Sequence, residues 1–290
     1  MSDFERSGQT YIPLIYYLLM ILMRRSIIQL ICCLFLISVF SSGCIGTEKE
    51  PGSKEHGTDV IYQISTIDAL LEGIYEGDLT VGELKQHGDL GLGTFNDLDG
   101  EMVFLDGIVY QVKADGVAYR VNDSVKTPFA AVTKFENDIS GTIDHEMNDT
   151  ELTGYIATLM SSRNLMYAIR IDGEFSYMKT RSVPAQEKPY PRLTEITKDQ
   201  PTFEFENVSG TIVGFWLPEY VENVNVPGYH LHFINSNCSA GGHVLEYMIR
   251  SGNIKIDVAD GFLLQFPVTA EFLNADLSED LTEELTQVEK

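Results

Sequence analysis

The chain has 290 residues, enough for one large domain or two small ones, and its 43 acidic against 20 basic residues give a formal net charge of −23. A surface that acidic repels phosphate backbones and anionic lipid surfaces, which argues against nucleic acid as a partner. Cys32, Cys33 and Cys44 lie in or beside an apolar N-terminal stretch, so Cys238 is left alone and the remainder of the chain can form no internal disulfide.

The first elements in chain order concern export. Met23-Arg24-Arg25 precedes an almost continuously apolar run over 26–40, followed by Ser41-Ser42-Gly43-Cys44. A basic start, an apolar core and small residues before a cleavage point form a secretory signal. Cysteine after Ser-Ser-Gly resembles a lipoprotein box, although Ser41 stands where leucine is usual, and Cys44 is therefore the candidate lipid anchor. A second apolar stretch at 11–22 suggests either that Met23 is the true start or that the head is an uncleaved anchor. Residues 1–44 are thus expected to be an export segment and 45–59 a polar tether, placing the protein outside the cell, secreted or membrane-anchored.

The spacing of apolar residues at 61, 64, 67, 70, 71, 74 and 75 predicts a helix over 61–75. Thr80 and Glu83 form a capping-box pattern that predicts a second short helix over 80–87. From Gly93 onward strands dominate, at 101–105, 108–113 and 117–121, separated by Asp-Gly turns. A helix is predicted over 151–163 and a hairpin over 168–181 around Asp172-Gly173. Phe135-Glu-Asn-Asp-Ile-Ser-Gly-Thr-Ile143 recurs, one residue shorter, as Phe205-Glu-Asn-Val-Ser-Gly-Thr-Ile212, which suggests two related lobes. A proline-rich, charged break at 182–202 would separate an N-terminal lobe, 60–185, from a C-terminal lobe, 186–290. Strands at 230–234, 254–258 and 262–266 belong to the second lobe, and the acidic tail 275–290 is a helix or an extended arm. The expected class is α+β, with mixed or antiparallel sheets, a few helices, and a metal site on strands of the second lobe.

That site rests on Gly228-Tyr-His-Leu-His-Phe233 followed by Gly241-Gly-His243. Side chains at i and i+2 of a strand share a face, so His230 and His232 point the same way. Asn235, Ser236, Asn237 and Ser239 are turn formers able to bring His243 back beside them. Three neutral imidazoles with a fourth position open are the arrangement of a catalytic zinc site. Two histidines at i, i+2 are often only surface residues; the third, framed by glycines at hairpin distance, is what favours a metal. A cupin would need glutamate four or five residues after the pair, where Ser236 and Asn237 stand. His56, His87 and His145 lie at no spacing that couples to the three, and Cys238 reads as a small packed side chain.

These histidine segments resemble the metal-binding segment of the acetolactate decarboxylases. Gly93-Thr-Phe-Asn-Asp-Leu-Asp-Gly-Glu-Met102 resembles that family's N-terminal signature, and Lys179-Thr-Arg-Ser-Val-Pro-Ala-Gln186 its arginine-bearing segment. Phe205 to Trp216 and Asp260-Gly-Phe262 continue the likeness, which covers roughly 60–290. The family usually carries an Asp-Arg pair where this chain has Asn235-Ser-Asn-Cys-Ser239. The resemblance implies zinc on His230, His232 and His243 and the substrate acetolactate, a small molecule. It implies Arg181 for the leaving carboxylate, Glu101 as proton relay, Thr94 on the bound oxygens, and a glutamate from the tail. Glu289 is the candidate for the last, with Glu283 and Glu284 close by in sequence. It also implies a homodimer.

The chemistry is consistent with those parts. Loss of carbon dioxide from a β-keto acid leaves electrons that must delocalise onto the ketone oxygen. A Lewis acid chelated by the ketone and hydroxyl oxygens can hold the resulting enolate without an organic electron sink. No P-loop or dinucleotide fingerprint is present. Two alternatives remain at this point: an exported metal- or solute-binding lipoprotein that retains the three histidines, and a zinc hydrolase. Metal capture alone would not require Thr94, Glu101 and Arg181.

Overall fold

The computed structural model describes residues 59–289. The expected export segment, tether and lipid anchor at Cys44 lie outside the described residues, apart from Asp59, as does His56. Strands β1 (Val60–Ile64), β2 (Leu79–Thr80), β3 (Leu90–Thr94), β4 (Glu101–Leu105), β5 (Ile108–Val112), β6 (Ala118–Arg120), β7 (Lys126–Thr127) and β8 (Ala130–Thr133) come first. They are followed by β9 (Ile139–Ile143), β10 (Met147–Asn148), β11 (Met166–Arg181), β12 (Thr202–Leu217), β13 (Gly228–Asn235), β14 (Gly241–Ala259) and β15 (Gly261–Gln265). The helices are α1 (Ile67–Leu71), α2 (Val81–Leu84), α3 (Asp149–Leu159), α4 (Leu193–Ile196), α5 (Ala270–Asn274) and α6 (Thr282–Val288).

Two larger sheets carry the fold. One has the order β15-β1-β8-β3-β4-β5-β6, antiparallel except for the parallel β1–β15 pair. In the other, β14, β11, β12 and β13 are successive antiparallel neighbours, and β13 also pairs with the start of β14, so the strands return on themselves. An apolar layer from both sheets lies between them: Ile61, Leu92, Val103 and Val112 meet Ala168, Val213, Phe215 and Ile234. Fully burying each such Ile, Val, Leu or Phe contributes about 1.5–3 kcal/mol. The α+β class with mostly antiparallel sheets and few helices is as expected.

The boundary expected near residue 185 does not divide the strands. β11 precedes it yet pairs with β12 and β14, and β15 follows it yet pairs with β1. The two copies of the repeated segment also share one sheet, β9 on β14 and β12 beside β11. They are therefore two strands of similar composition, not markers of two lobes. The predicted hairpin at Asp172-Gly173 is part of one unbroken 16-residue strand. Gly173 faces Gly210 and Gly252 on the neighbouring strands, and a Cβ there would stand 2.6 Å from Ile249 Cδ1. Glycine serves close packing here, not a turn.

The predicted helix over 61–75 is β1 followed by α1, with Ser65 at φ +66° between them. β1 lies between β8 and β15 and is buried on both faces, Gln63 included, so strand alternation is lost from the sequence. The short helix predicted at Thr80 does form as α2, with both capping-box bonds made.

Asp68 in the first turn of α1 is buried close to other acids. Burial first, then Asp280, Glu72 and Glu222, push its carboxyl up to about 6. The folded state therefore holds this proton more tightly than the unfolded chain. The linkage costs stability above pH 6, and the cost fades as the pH falls toward the unfolded value of about 3.9. Asp68→Asn is expected to raise stability at pH 8 by about 1 kcal/mol, after allowance for solvent screening, a rise in Tm of about 2–4 °C. At pH 4 the two proteins should melt together. Thermal unfolding at both pH values decides it, and equal melting at pH 8 would refute the expectation.

Candidate active site

The site is assembled where one rung of each sheet meets the other. In β13, His230 and His232 are both buried, as the i, i+2 spacing requires of one strand face turned inward. Asn235 shapes the turn that follows, its side-chain oxygen accepting from the Ser239 backbone N–H at 2.9 Å. The returning β14 places His243 directly opposite His232. On its other side His243 is opposite Arg181 of β11. Residues directly across a ladder share a face, so one rung presents Arg181, His243 and His232 together. Gly242 permits this approach: at φ +133°, a Cβ would lie 2.3 Å from the Arg181 carbonyl oxygen.

The other sheet supplies the second rung, with Thr94 of β3 opposite Glu101 of β4, and Glu101 opposite Val112 of β5. Two buried hydrogen bonds join the rungs. Ser182 Oγ donates to the Val112 carbonyl at 2.7 Å, and His232 Nδ1 lies 2.7 Å from the Met102 carbonyl. A carbonyl can only accept, so that His232 nitrogen carries the hydrogen and its Nε2 keeps a free lone pair.

The three imidazole centroids are 5.1–5.3 Å apart, and one ring nitrogen from each lies within 4.8 Å of the others. His232 Nε2 and His230 Nδ1 are buried with no hydrogen-bond partner. Burial pulls all three side chains below the usual histidine range, His230 to about 3, so the rings are neutral. Buried ring nitrogens without a partner are costly, and three neutral imidazoles that converge on one point fit a divalent metal ion.

Charge is arranged around them. Glu101 Oε2 lies 3.6 Å from His232 Nε2, and Glu289 Oε2 lies 3.7 Å from His243 Nε2. Between the two carboxyls stands the Arg181 guanidinium, 3.2 Å from Glu101 and 4.0 Å from Glu289. Burial pushes both carboxyls up to about 7 while Arg181 pulls the other way. Arg181 Nη1 also donates to Gln200 Oε1 at 3.2 Å and Nη2 to the Val288 carbonyl at 3.0 Å, whereas Nε is buried without a partner. Thr94 Oγ1 donates to the Gly100 carbonyl at 2.7 Å, so toward the cavity its oxygen can accept but not donate. The opposite wall is apolar, formed by Ile67, Leu70, Leu98, Phe129, Val183 and Leu193.

All seven residues expected from the sequence, His230, His232, His243, Glu101, Arg181, Thr94 and Glu289, line this one cavity. Glu289 reaches it because Leu281, Leu285 and Val288 are buried along one side of α6, which docks the tail against α1 and α4. Glu283 is exposed and neither it nor Glu284 lines the cavity. His87 stacks on Tyr62 and His145 pairs with Asp144 at the surface, both away from the site. Gln200, the Met102 and Val288 carbonyls and the apolar wall carry no signal of this site in the sequence. Backbone carbonyls have no sequence signature. The α1 residues of the wall were visible only as generic apolar spacing.

Comparison with known proteins places the chain among relatives of one description. Residues 61–279 match the family model described as alpha-acetolactate decarboxylase, a match that ends before α6 and Glu289. The chain is similar to the alpha-acetolactate decarboxylase of Methanosarcina mazei, 52% identical over 240 residues, covering 83% of each protein. It is 44% identical over 226 residues to the Bacillus subtilis protein of that name, covering 78% of this chain and 89% of the relative. The crystal structure of alpha-acetolactate decarboxylase from Bacillus subtilis superposes with a TM-score of 0.78 at 43% identity, covering 79% of this chain and 99% of that one.

Proposed function

The chain belongs to the alpha-acetolactate decarboxylase family, and on that premise we propose that it converts 2-acetolactate to acetoin and carbon dioxide with zinc held by His230, His232 and His243. The observation that supports this best is the meeting of the two rungs: three neutral, buried imidazoles beside a buried guanidinium and a buried carboxyl. The all-nitrogen donor set suits zinc, as it does copper, iron and nickel, and excludes the oxygen-seeking magnesium and calcium. Bound there, zinc supplies a Lewis acid for charge that develops on oxygen.

The chain's own residues do the rest. Arg181 takes the substrate carboxylate and turns it out of the plane of the ketone, so that the breaking bond overlaps the carbonyl π system. When that C–C bond breaks, its electron pair stays with the substrate and carbon dioxide leaves. One proton must then reach the carbon that lost the carboxylate. Glu101, buried beside His232 and Arg181, delivers it and recovers it from solvent, so each turnover consumes one proton. Thr94 accepts a hydrogen bond from the substrate hydroxyl, the role left to it by its bond to Gly100. The apolar wall takes the two methyl groups and keeps water from the reacting carbon.

The test is acetoin formation from racemic acetolactate by the purified protein, with elemental analysis of the metal it carries. Acetoin together with zinc near one per chain is the expected result; a zinc-loaded protein that forms no acetoin would sink the reading in favour of a binding module. Glu101→Gln keeps the shape but cannot relay the proton, and is expected to lower kcat about 10²-fold with KM little changed. A kcat within a few-fold of wild type would remove Glu101 from the proton path. For the N-terminal head we propose export with lipid attachment at Cys44, supported by the Arg24-Arg25 start and the apolar run that follows.

A further inference from the structure

Gln200 was not singled out by the sequence, yet it makes one of the four polar contacts around Arg181. Its place follows from the backbone. Thr202 is the ladder partner of Arg181, and the Ser182 N–H donates to the Pro201 carbonyl at 3.2 Å, so the segment before β12 continues alongside β11. Pro201 restricts the residue before it to extended backbone, and Gln200 has φ −66° and ψ 139°. Two residues before Thr202, its side chain emerges on the same face, diagonal to Arg181. A guanidinium has donors only, so the contact at 3.2 Å must be to the amide oxygen of Gln200. Among the described residues, it is the one side-chain hydrogen bond of Gln200.

We propose that Gln200 is a positioning residue, holding the Arg181 guanidinium with a neutral acceptor so that its positive charge is left for the substrate carboxylate. The inference rests on the decarboxylase reading above. Two carboxyls already flank this guanidinium, Glu101 at 3.2 Å and Glu289 at 4.0 Å. A third acceptor that carried charge would weaken the pull of this guanidinium on an anionic substrate. The Gln200 amide and the Val288 carbonyl orient the fork without adding charge, and Nε remains unpartnered. Orientation and charge are thereby assigned to different neighbours.

Two substitutions separate these roles. Gln200→Glu keeps the size and the acceptor but adds charge; Gln200→Met keeps the size and removes the acceptor. Steady-state kinetics on acetolactate and thermal unfolding would be measured for both beside wild type. Gln200→Glu is expected to raise KM about tenfold or more, with kcat within about threefold and Tm unchanged or higher. Gln200→Met is expected to lower kcat/KM about tenfold through loss of orientation. A wild-type KM in Gln200→Glu, or a change in KM seen only alongside a lowered Tm, overturns the inference. A wild-type protein that forms no acetoin sinks the decarboxylase reading and this inference with it, whereas an active wild type with an unaffected Gln200→Glu sinks this inference alone.

Discussion

Replacing His232 with alanine is expected to bring acetoin formation down to the rate measured without protein and to strip most of the bound metal. Three imidazoles are the neutral nitrogen donors that converge in the site, and Cys238, the one described cysteine, is not among them. Losing one leaves two neutral donors, too few to hold a divalent ion against chelation by buffer or protein rivals. His232 is the most exacting choice because its second nitrogen is engaged with the Met102 carbonyl, which orients the ring. That choice carries a structural cost: the buried carbonyl loses its partner, destabilising the fold by about 1–3 kcal/mol. The chelator arm controls for it. Wild-type protein stripped of metal should lose activity to the same floor and regain it when zinc is added, while His232→Ala should not respond to zinc. Metal content, Tm and activity measured together separate loss of the ion from loss of the fold. A His232→Ala protein that stays loaded and active would refute the ligand assignment.

How much of this site was legible in the sequence depends on which contacts have a period. His230 and His232 share a face because strand side chains alternate, and that alone puts two candidate ligands together. His243 was recoverable because the residues between contain the turn formers that Asn235 and Ser239 prove to be. Arg181, Glu101 and Thr94 were different: nothing local places Arg181 opposite His243, or brings Glu101 of one sheet beside His232 of the other. Those pairings depend on register and on the packing of two sheets, and only the family resemblance pointed to them. The errors have the same origin. A strand buried on both faces, β1, carries no alternation, and its apolar positions run into those of α1 to give helical spacing. Asp172-Gly173 has the composition of a turn, but three glycines facing across adjacent strands make it a site of close packing. The supposed lobe boundary at 182–202 is a long connection between neighbouring strands, and a connection's composition does not reveal whether its ends are partners. Gln200 lies inside that connection, where no periodicity marks its side chain as facing Arg181.

Arg181→Lys is expected to lower kcat/KM about 10³-fold, although the formal charge is kept. The reason is geometric. Arg181 spreads its donors over several acceptors: Glu101 and Gln200 on Nη1, the Val288 carbonyl on Nη2, with Nε left over. Lysine is a point charge with one nitrogen, and it cannot reach Glu101, Gln200 and Val288 while also presenting a donor to substrate. It would settle against whichever carboxylate it meets first, Glu101 or Glu289, and the positive charge meant for the substrate would be spent on the protein. The loss should therefore fall on both parameters: KM rises because the carboxylate has no fixed donor, and kcat falls because the scissile bond is no longer held out of the ketone plane. Arg181→Met goes further, leaving the buried Glu101 and the partly buried Glu289 with no arginine between them, so part of its loss would be structural. Lysine is the more informative variant because it keeps the charge and tests the fork. Kinetics of Arg181→Lys with metal content held at the wild-type level would settle the point. A variant within about tenfold of wild type would mean that charge alone suffices at this position. The three-way clamp around Arg181 would then serve the fold and not the reaction.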